Sequence, residues 1–501
     1  MMSRSCTRRA VVAMAAAVVS WVGSPAIALD NNAPLQLTPE AGWSAMELWS
    51  QADDISALTD AGYTAKFTFD GTGAYRSGAN TLTLLVNHET SQAAISRVEL
   101  NLADFQQAVQ STIDSGITPF PSSIVTAIGY AYDTIYDGTY DAVSNNTPVA
   151  SGAAAVGAYG NANFYRFCSG TSYDADSFGA GRGFVDTLYL TGEETSNSTG
   201  LFYALDTATR TLWEAPDLGG ASWENAALVD SGNTTHVALI LQDDLGSAPG
   251  APIRLYIGEK NVDANSDGSI DFLERNGLRG GSIYYWTPTD ASSTTDLVDG
   301  GGTVTGEWAT TSAGTLLETK LEDIHTNPAD GSRVVFSDQT DGVYRMNLNL
   351  VFSGGSLDTA NSGATITELI NDNIPGGETS ASWIDAPDNL TWSANGLVYV
   401  QEDGGSLGVW QLDPDDPIAS RLRIAVNNAE PSGIFDISEL VGYAPGSVFI
   451  ASNLSGSTAQ LNVLISPSAV AIPEPATAIM LGLGAIGLLC RRRYNREVVV
   501  I

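Results

Sequence analysis

Basic residues are scarce in this chain. Twenty-two Lys and Arg stand against 57 Asp and Glu among 501 residues, a formal net charge of −35. Nothing here could neutralise a phosphate backbone, so nucleic acid is excluded as a partner. Cysteine is scarcer still. Of three, Cys6 lies near the N-terminus and Cys490 near the C-terminus, leaving Cys168 alone in the body of the chain. One cysteine forms no internal disulfide and reads either as a buried structural thiol or as a soft metal ligand. With three histidines in all, a zinc site lacks ligands. Helical spacing of apolar residues is confined to Ala41–Gln51 and Leu102–Ile113. The apolar fraction, 43%, is ordinary, so a packed core is expected and wholesale disorder is excluded.

The two ends stand apart from the body. Residues 1–28 resemble an export signal, with Arg4, Arg8 and Arg9, an apolar run from Ala10 to Val22, and the small-x-small site Ala26-Ile27-Ala28. Thr7 to Val12 partly resembles a twin-arginine signal; a general secretory signal is the alternative. At the other end, residues 473–501 hold Pro473-Glu474-Pro475, an apolar stretch from Ala476 to Cys490, and Arg491, Arg492, Arg493 and Arg496. That order resembles a PEP-CTERM sorting signal. It implies a bacterial envelope or extracellular-matrix protein, handled by an exosortase-type enzyme and touching the membrane only through this short segment. The mature body is then residues 29–472. Setting aside seven arginines and two glutamates in the ends leaves 15 basic and 55 acidic residues in it.

The body reads as all-β. Strand-like runs bounded by Gly, Asp, Asn and Ser recur at Thr81–Val86, Thr187–Leu190, Leu201–Leu205, His236–Gln242, Ile253–Ile257, Ser282–Trp286, Arg333–Ser337, Gly342–Met346, Leu397–Gln401, Gly408–Leu412 and Ser447–Ser452. A weak repeat of glycine followed by an aromatic, as in Gly200-Leu201-Phe202 and Gly342-Val343-Tyr344, fits the blades of a propeller. The expectation is a single six-bladed β-propeller with inserted loops and short helices, monomeric; a pair of β-sandwiches is the alternative.

Carboxylates gather where apolar strands end: Asn87-His88-Glu89, Gly192-Glu193-Glu194, Trp223-Glu224-Asn225, Gln242-Asp243-Asp244, Gly258-Glu259-Lys260, Leu321-Glu322-Asp323, Pro387-Asp388-Asn389 and Gln401-Glu402-Asp403. In a propeller, strands of like direction deliver their ends to one mouth of the channel. Carboxylates brought together resist ionising unless a hard cation takes their oxygens, and the body has too few Lys and Arg to do so.

Gln242-Asp243-Asp244 apart, and with Arg166-Phe167-Cys168-Ser169 and Phe272-Leu273-Glu274-Arg275-Asn276-Gly277-Leu278 added, these motifs in this order resemble the PhoX-type alkaline phosphatase family, from about residue 80 to 410. The resemblance implies a propeller phosphatase with an iron–calcium cluster acting on a phosphoester substrate. Cys168 would be the thiolate ligand of iron, with Glu89 and Glu194 as its carboxylates. Glu259, Glu322 and Glu402 would hold or bridge calcium, and Asp388 and Asn389 occupy the place of an acid–amide pair near the reaction. The positive groups that would steady phosphate are open among Arg166, Arg182, Lys260, Lys320 and Arg333, with Arg182 taken as catalytic.

A separate loop, Asp263-Ala264-Asn265-Ser266-Asp267-Gly268-Ser269-Ile270-Asp271-Phe272-Leu273-Glu274, follows the EF-hand pattern, so Asp263, Asn265, Asp267, Asp271 and Glu274 are expected calcium ligands. His88 and His325 adjoin motif glutamates and are candidate supporting donors. The rival to the phosphatase is a non-catalytic, calcium-stiffened surface propeller; a single-calcium lactonase or esterase would have no use for Cys168.

Overall fold

Strands of two to ten residues make up nearly all the regular structure of the computed structural model, which describes residues 34–116, 123–138, 164–195, 199–246, 250–289, 302–454 and 459–472. The export signal and almost all of the sorting segment lie outside the described residues, as do the domain boundaries drawn there.

Six strands run along the centre: Phe69–Gly78, Phe167–Tyr173, Trp223–Val229, Leu321–Thr326, Pro387–Trp392 and Pro431–Asp436. Each packs against the next, and the last returns to the first, so the ring is closed. From each inner strand a sheet of antiparallel neighbours runs outward, with one parallel pairing at a rim, Thr134–Tyr136 with Thr211–Ala215. Phe69–Gly78 leads to Thr81–His88, Ile95–Asn101 and Val125–Tyr130. The sheets that begin at Trp223–Val229 and Leu321–Thr326 fuse at their rims into one sheet of nine strands through Thr303–Ala309 and Gly363–Asn371. Reading that sheet as two blades gives six; counting the sheets that start at an inner strand gives five, apart from the small pair Phe352–Ser353 and Ser356–Leu357. The architecture is that of a β-propeller.

Closure of the ring comes from the N-terminus. Ser44–Ser50 pairs with Gln460–Ile465 and completes the sheet that starts at Pro431–Asp436. This corrects the helix expected over Ala41–Gln51. The segment is buried between neighbours along Met46–Ser50, and the ladder to Gln460–Ile465 outweighs its helical spacing. Leu102–Ser115 is a helix as read. Asn101 caps it, accepting from the amides of Ala103 and Asp104, Gly116 ends it with φ 65°, and Leu102, Phe105, Ala108, Val109 and Thr112 form its buried face.

The eleven strand-like runs in the sequence all fall on strands, none of them innermost. The glycine–aromatic repeat does not mark equivalent places. It falls on a third strand in Gly200-Leu201-Phe202 and Gly342-Val343-Tyr344, but on a fourth in Gly281-Ser282-Ile283-Tyr284 and a second in Gly396-Leu397-Val398-Tyr399. Between sheets the core is aromatic: Trp49, Trp223, Trp286, Trp308 and Trp392 are fully buried, each contributing about 4 kcal/mol of apolar burial.

Candidate metal centre

Each inner strand pairs its first residue with the last residue of the strand outside it: Phe69 with His88, Phe167 with Glu193, Trp223 with Asp243, Leu321 with Asp338, Pro387 with Glu402 and Pro431 with Asn453. Directly after this pairing five of the six inner strands carry a register shift, and in Pro431–Asp436 it comes one pair later, after Ser432. A bulge re-aims side chains, so the second residue of each inner strand belongs to one ring at one mouth of the channel. Those residues are Asp70, Cys168, Glu224, Glu322, Asp388 and Ser432. The residue just past the second strand adds another tier: Glu89, Glu194, Asp244, Gln339 and Asp403.

Ligand-type atoms from Asp70, Glu89 and Cys168 lie within 4.8 Å of one another, and so do those of Cys168, Glu194 and Glu224, of Glu224, Glu322 and Asp388, and of Asp388, Asp403 and Glu430. Successive sets share a member, so the groups run around the channel mouth as one chain. The Cys168 thiol donates to Glu194 at 2.9 Å. Arg166 Nε donates to Glu89 at 2.6 Å and its guanidinium meets Glu194 at 2.9 Å. Lys320 bridges Glu322 at 2.6 Å and Asp244 at 3.1 Å.

Two cations do not balance this many acids. Burial, then the charges of Glu89 and Glu430, pushes Asp70 well above the usual carboxylate range. Burial, then Glu322 and Glu194, does the same to Glu224. Burial and Asp244 raise Glu322, and burial, Glu322 and Glu224 raise Asp388. Glu430 is pushed up to about 8 by burial, Asp403 and Glu89. The Cys168 thiol is raised by burial, Glu194 and Glu89. A cation among these oxygens removes the penalty. The donor set fits the expected groups: hard carboxylates throughout suit calcium, and the single sulfur, ringed by Asp70, Glu89, Glu194 and Glu224, suits iron.

Beneath the acids lies a second tier that braces them. Ser169 donates to Glu224 at 2.7 Å and receives the Asn389 amide at 2.7 Å. Asn225 donates to Asp323 at 2.5 Å, and Asp323 also accepts from the Leu390 amide at 3.0 Å. Gly71 and Gly433 complete this tier, because a Cβ there would meet the backbone of Cys168 at 2.5 Å and of Asp70 at 2.2 Å. Arg166 and Ala386, each immediately before an inner strand, hold φ of 42° and 52°. Such strain costs about 1–3 kcal/mol and is common where side chains must be aimed.

Of the residues expected from sequence, the ring brings together Glu89, Cys168, Glu194, Glu322 and Asp388, with Asn389 directly beneath. Glu402 lies one residue away from it. As the last residue of its strand it points into its own sheet and accepts from the amides of Asp385 at 2.9 Å and Gly408 at 2.7 Å; its neighbour Asp403 reaches the ring. Glu259 ends a third strand, which runs opposite to the second, so it emerges exposed at the far mouth. Arg182 follows the far end of an inner strand and pairs with Asp230. Lys260 donates to the carbonyls of Gly181 and Gly183 there, and Arg333 pairs with Asp415. Arg166 and Lys320 are the two positive candidates at the ring.

The EF-like loop lies with Glu259 and folds around its own backbone. Asp263 accepts from the amides of Asp267 and Gly268, Asp267 from that of Ser269, and Glu274 from those of Ala264, Asn265 and Asp271. Asp271 caps the four-residue helix Phe272–Arg275. His88 turns into the core beside Trp49 and Phe69, bonded to Ser96, and burial drops its pKa to about 3. His325 likewise falls to about 4 through burial. Neither supports a ring acid.

Asp70 and Glu430 belong to none of the acidic clusters evident in the sequence, and Glu224, Asp244 and Asp403 belong to them without being singled out as ligands. For Asp70 and Glu224 a signal exists: a large apolar residue or proline, then an acid or thiol, then a small polar residue or glycine, in Phe69-Asp70-Gly71, Phe167-Cys168-Ser169, Trp223-Glu224-Asn225, Leu321-Glu322-Asp323, Pro387-Asp388-Asn389 and, with serine in place of the acid, Pro431-Ser432-Gly433.

Residues 471–493 match the PEP-CTERM protein-sorting motif, which implies export, recognition by an exosortase-type enzyme and sorting in the cell envelope. No curated protein matches the chain. Among solved structures, the chain is similar to the β-propeller domain of Cps50 (Swd1) from Myceliophteria thermophila, at 7% identity and TM-score 0.33 over 81% of this chain and 98% of that one. It is also similar to the β-propeller domain of the trilobed protease from Pyrococcus furiosus, whose topology is an open velcro, at 8% identity and TM-score 0.31 over 82% of this chain and 99% of that one.

Proposed function

We propose that this exported propeller is a metal-dependent phosphomonoesterase whose reaction takes place at the acidic mouth of the channel. The observation that carries the reading is the meeting of one thiol, Cys168, with Asp70, Glu89, Glu194 and Glu224 from three successive inner strands and the strands outside them. Cys168, Glu89, Glu194 and Asp70 would hold iron; Glu224, Glu322, Asp388, Asp403 and Glu430 would hold calcium. Bound there, these cations would supply Lewis-acid polarisation of phosphoryl oxygens.

The chain's own groups have defined parts. The tier of Ser169, Asn225, Asp323 and Asn389 fixes the carboxylates from below. Arg166 holds Glu89 and Glu194 while its side chain stays 39% exposed, so it can also meet an anionic oxygen at the mouth. Lys320 serves the same purpose beside Glu322. A mouth of net negative charge accepts an anionic substrate because bound cations reverse the local field.

The test is hydrolysis of a chromogenic phosphomonoester by the purified full chain supplied with iron and calcium. Cys168→Ala is expected to lose iron and rate together, by at least a hundredfold in rate. Full activity in that variant would overturn the iron-ligand role. One observation favours a second reading, a calcium-held surface propeller without catalysis: both positive groups at the mouth are already engaged by its carboxylates. Calcium without iron in the purified protein, with no hydrolysis, would select it.

A further inference from the structure

Behind the ring, in the half of the nine-stranded sheet that begins at Leu321–Thr326, lies a second set of acids that the reading above does not use. Oxygens of Glu318, Asp338 and Asp341 lie within 4.8 Å of one another. They come from three places. Asp338 ends the strand Arg333–Asp338, and Asp341 sits in the turn to Gly342–Asn349. Glu318 belongs to the link from the neighbouring half-sheet, clamped by paired backbone hydrogen bonds to Ala251 at 2.6 and 3.0 Å.

A cluster of acids alone is not a site, and here two further groups point at a ligand. Tyr344 is 1% exposed, and its hydroxyl has no hydrogen-bond partner among the described residues. Tyr344 lies opposite Phe336, with the two rings 5.3 Å apart, and so diagonally across from Asp338 on the same face of the sheet; burial, then the charges of Asp341, Glu368, Glu318 and Asp338, raises its pKa. Asp338 is fully buried. One of its oxygens accepts from the amide and hydroxyl of Thr340 at 2.9 and 2.7 Å, and the other, Oδ2, has no hydrogen-bond partner among the described residues. A buried carboxylate oxygen and a buried phenol left without partners in an all-oxygen setting are what a hard cation satisfies.

We propose that Glu318, Asp338 and Asp341 bind a structural calcium ion beside the Tyr344 hydroxyl, separate from the ring and from the EF-like loop. With only oxygen donors and contributions from a turn and a link, the geometry suits calcium's flexible coordination better than the strict octahedron of magnesium. The ion would tie the link at Glu318 to the turn at Asp341, fastening two neighbouring blades where their sheets fuse. This inference does not depend on the phosphatase reading.

The test uses the full chain, stripped with EGTA and titrated with calcium in a calorimeter. The double variant Glu318→Gln, Asp341→Asn is expected to bind one calcium fewer per chain than the parent. It should also show a smaller calcium-induced rise in Tm, with the Tm of its stripped form unchanged or higher. Unchanged stoichiometry with an unchanged rise would overturn the proposal. If that variant fails to fold, Tyr344→Phe serves instead. With terbium as probe, loss of part of the tyrosine-sensitised emission is expected, and emission equal to the parent's would overturn the site.

Discussion

At the scale of single residues, alternation along a strand decides which acid does what. Glu402 and Asp403 are neighbours of like charge, yet Glu402 is spent on the amides of Asp385 and Gly408 while Asp403 faces Glu430 and Asp388. Asp403→Asn is therefore expected to weaken calcium binding several-fold with little change in the Tm of the stripped protein. Glu402→Ala should destabilise stripped and loaded protein alike, by about 1–3 kcal/mol for amides left without an acceptor, and so lower the Tm of both. Titration calorimetry and thermal melts separate the two. The sequence displayed both acids in one motif, but a one-residue choice depends on the register with Pro387, and register is not legible without the partner strand. Cys168, by contrast, was legible because there was no other thiol in the body to consider.

At the scale of elements, the inner strands carry the site and were the least legible part of the fold. Phe69–Gly78 and Phe167–Tyr173 read as glycine- and serine-rich polar segments, because one side lines a channel and the bulge breaks alternation. The strands next outward are buried on both faces and stand out in the sequence as continuous apolar runs. The bulge tier leads to a prediction. Gly71→Ala places a methyl against the Cys168 carbonyl and the Gly170 amide, both backbone, so the inner strands must separate. A loss of about 1–3 kcal/mol in denaturant unfolding is expected, together with weaker metal binding, since the same strands aim Asp70 and Cys168. A glycine substitution at an open position such as Gly62, where φ is 88°, should cost stability without touching metal affinity.

At the scale of the whole molecule, charge and closure meet. The surplus of acid that is evident from composition is partly internal, collected where six strands start, and the direction of each strand sorts it. Second strands deliver Glu89, Glu194, Asp244 and Asp403 to one mouth, whereas the third strand carries Glu259 to the other. Sequence reading anticipated convergence but not direction, which is why Glu259 and Arg182 were grouped with residues at the opposite end. Closure by Ser44–Ser50 was missed for a related reason, since its partner lies more than 400 residues later. Deleting residues 44–50 is expected to expose the edge of Gln460–Ile465 and to produce association, measurable by light scattering.

The central claim is that cations hold the buried ring of acids together, and a pH series of melts with and without chelator tests it most directly. Asp70, Glu224, Glu322 and Asp388 are raised in the folded state, and Glu430 reaches about 8. A group whose folded pKa is raised contributes its stability below the unfolded pKa, near 4.5, and loses it as pH climbs through the folded value. The chelated protein should therefore lose Tm steadily from pH 5 to pH 8, while the protein loaded with iron and calcium holds its Tm across that span. Coincident curves for the chelated and loaded protein would contradict the account.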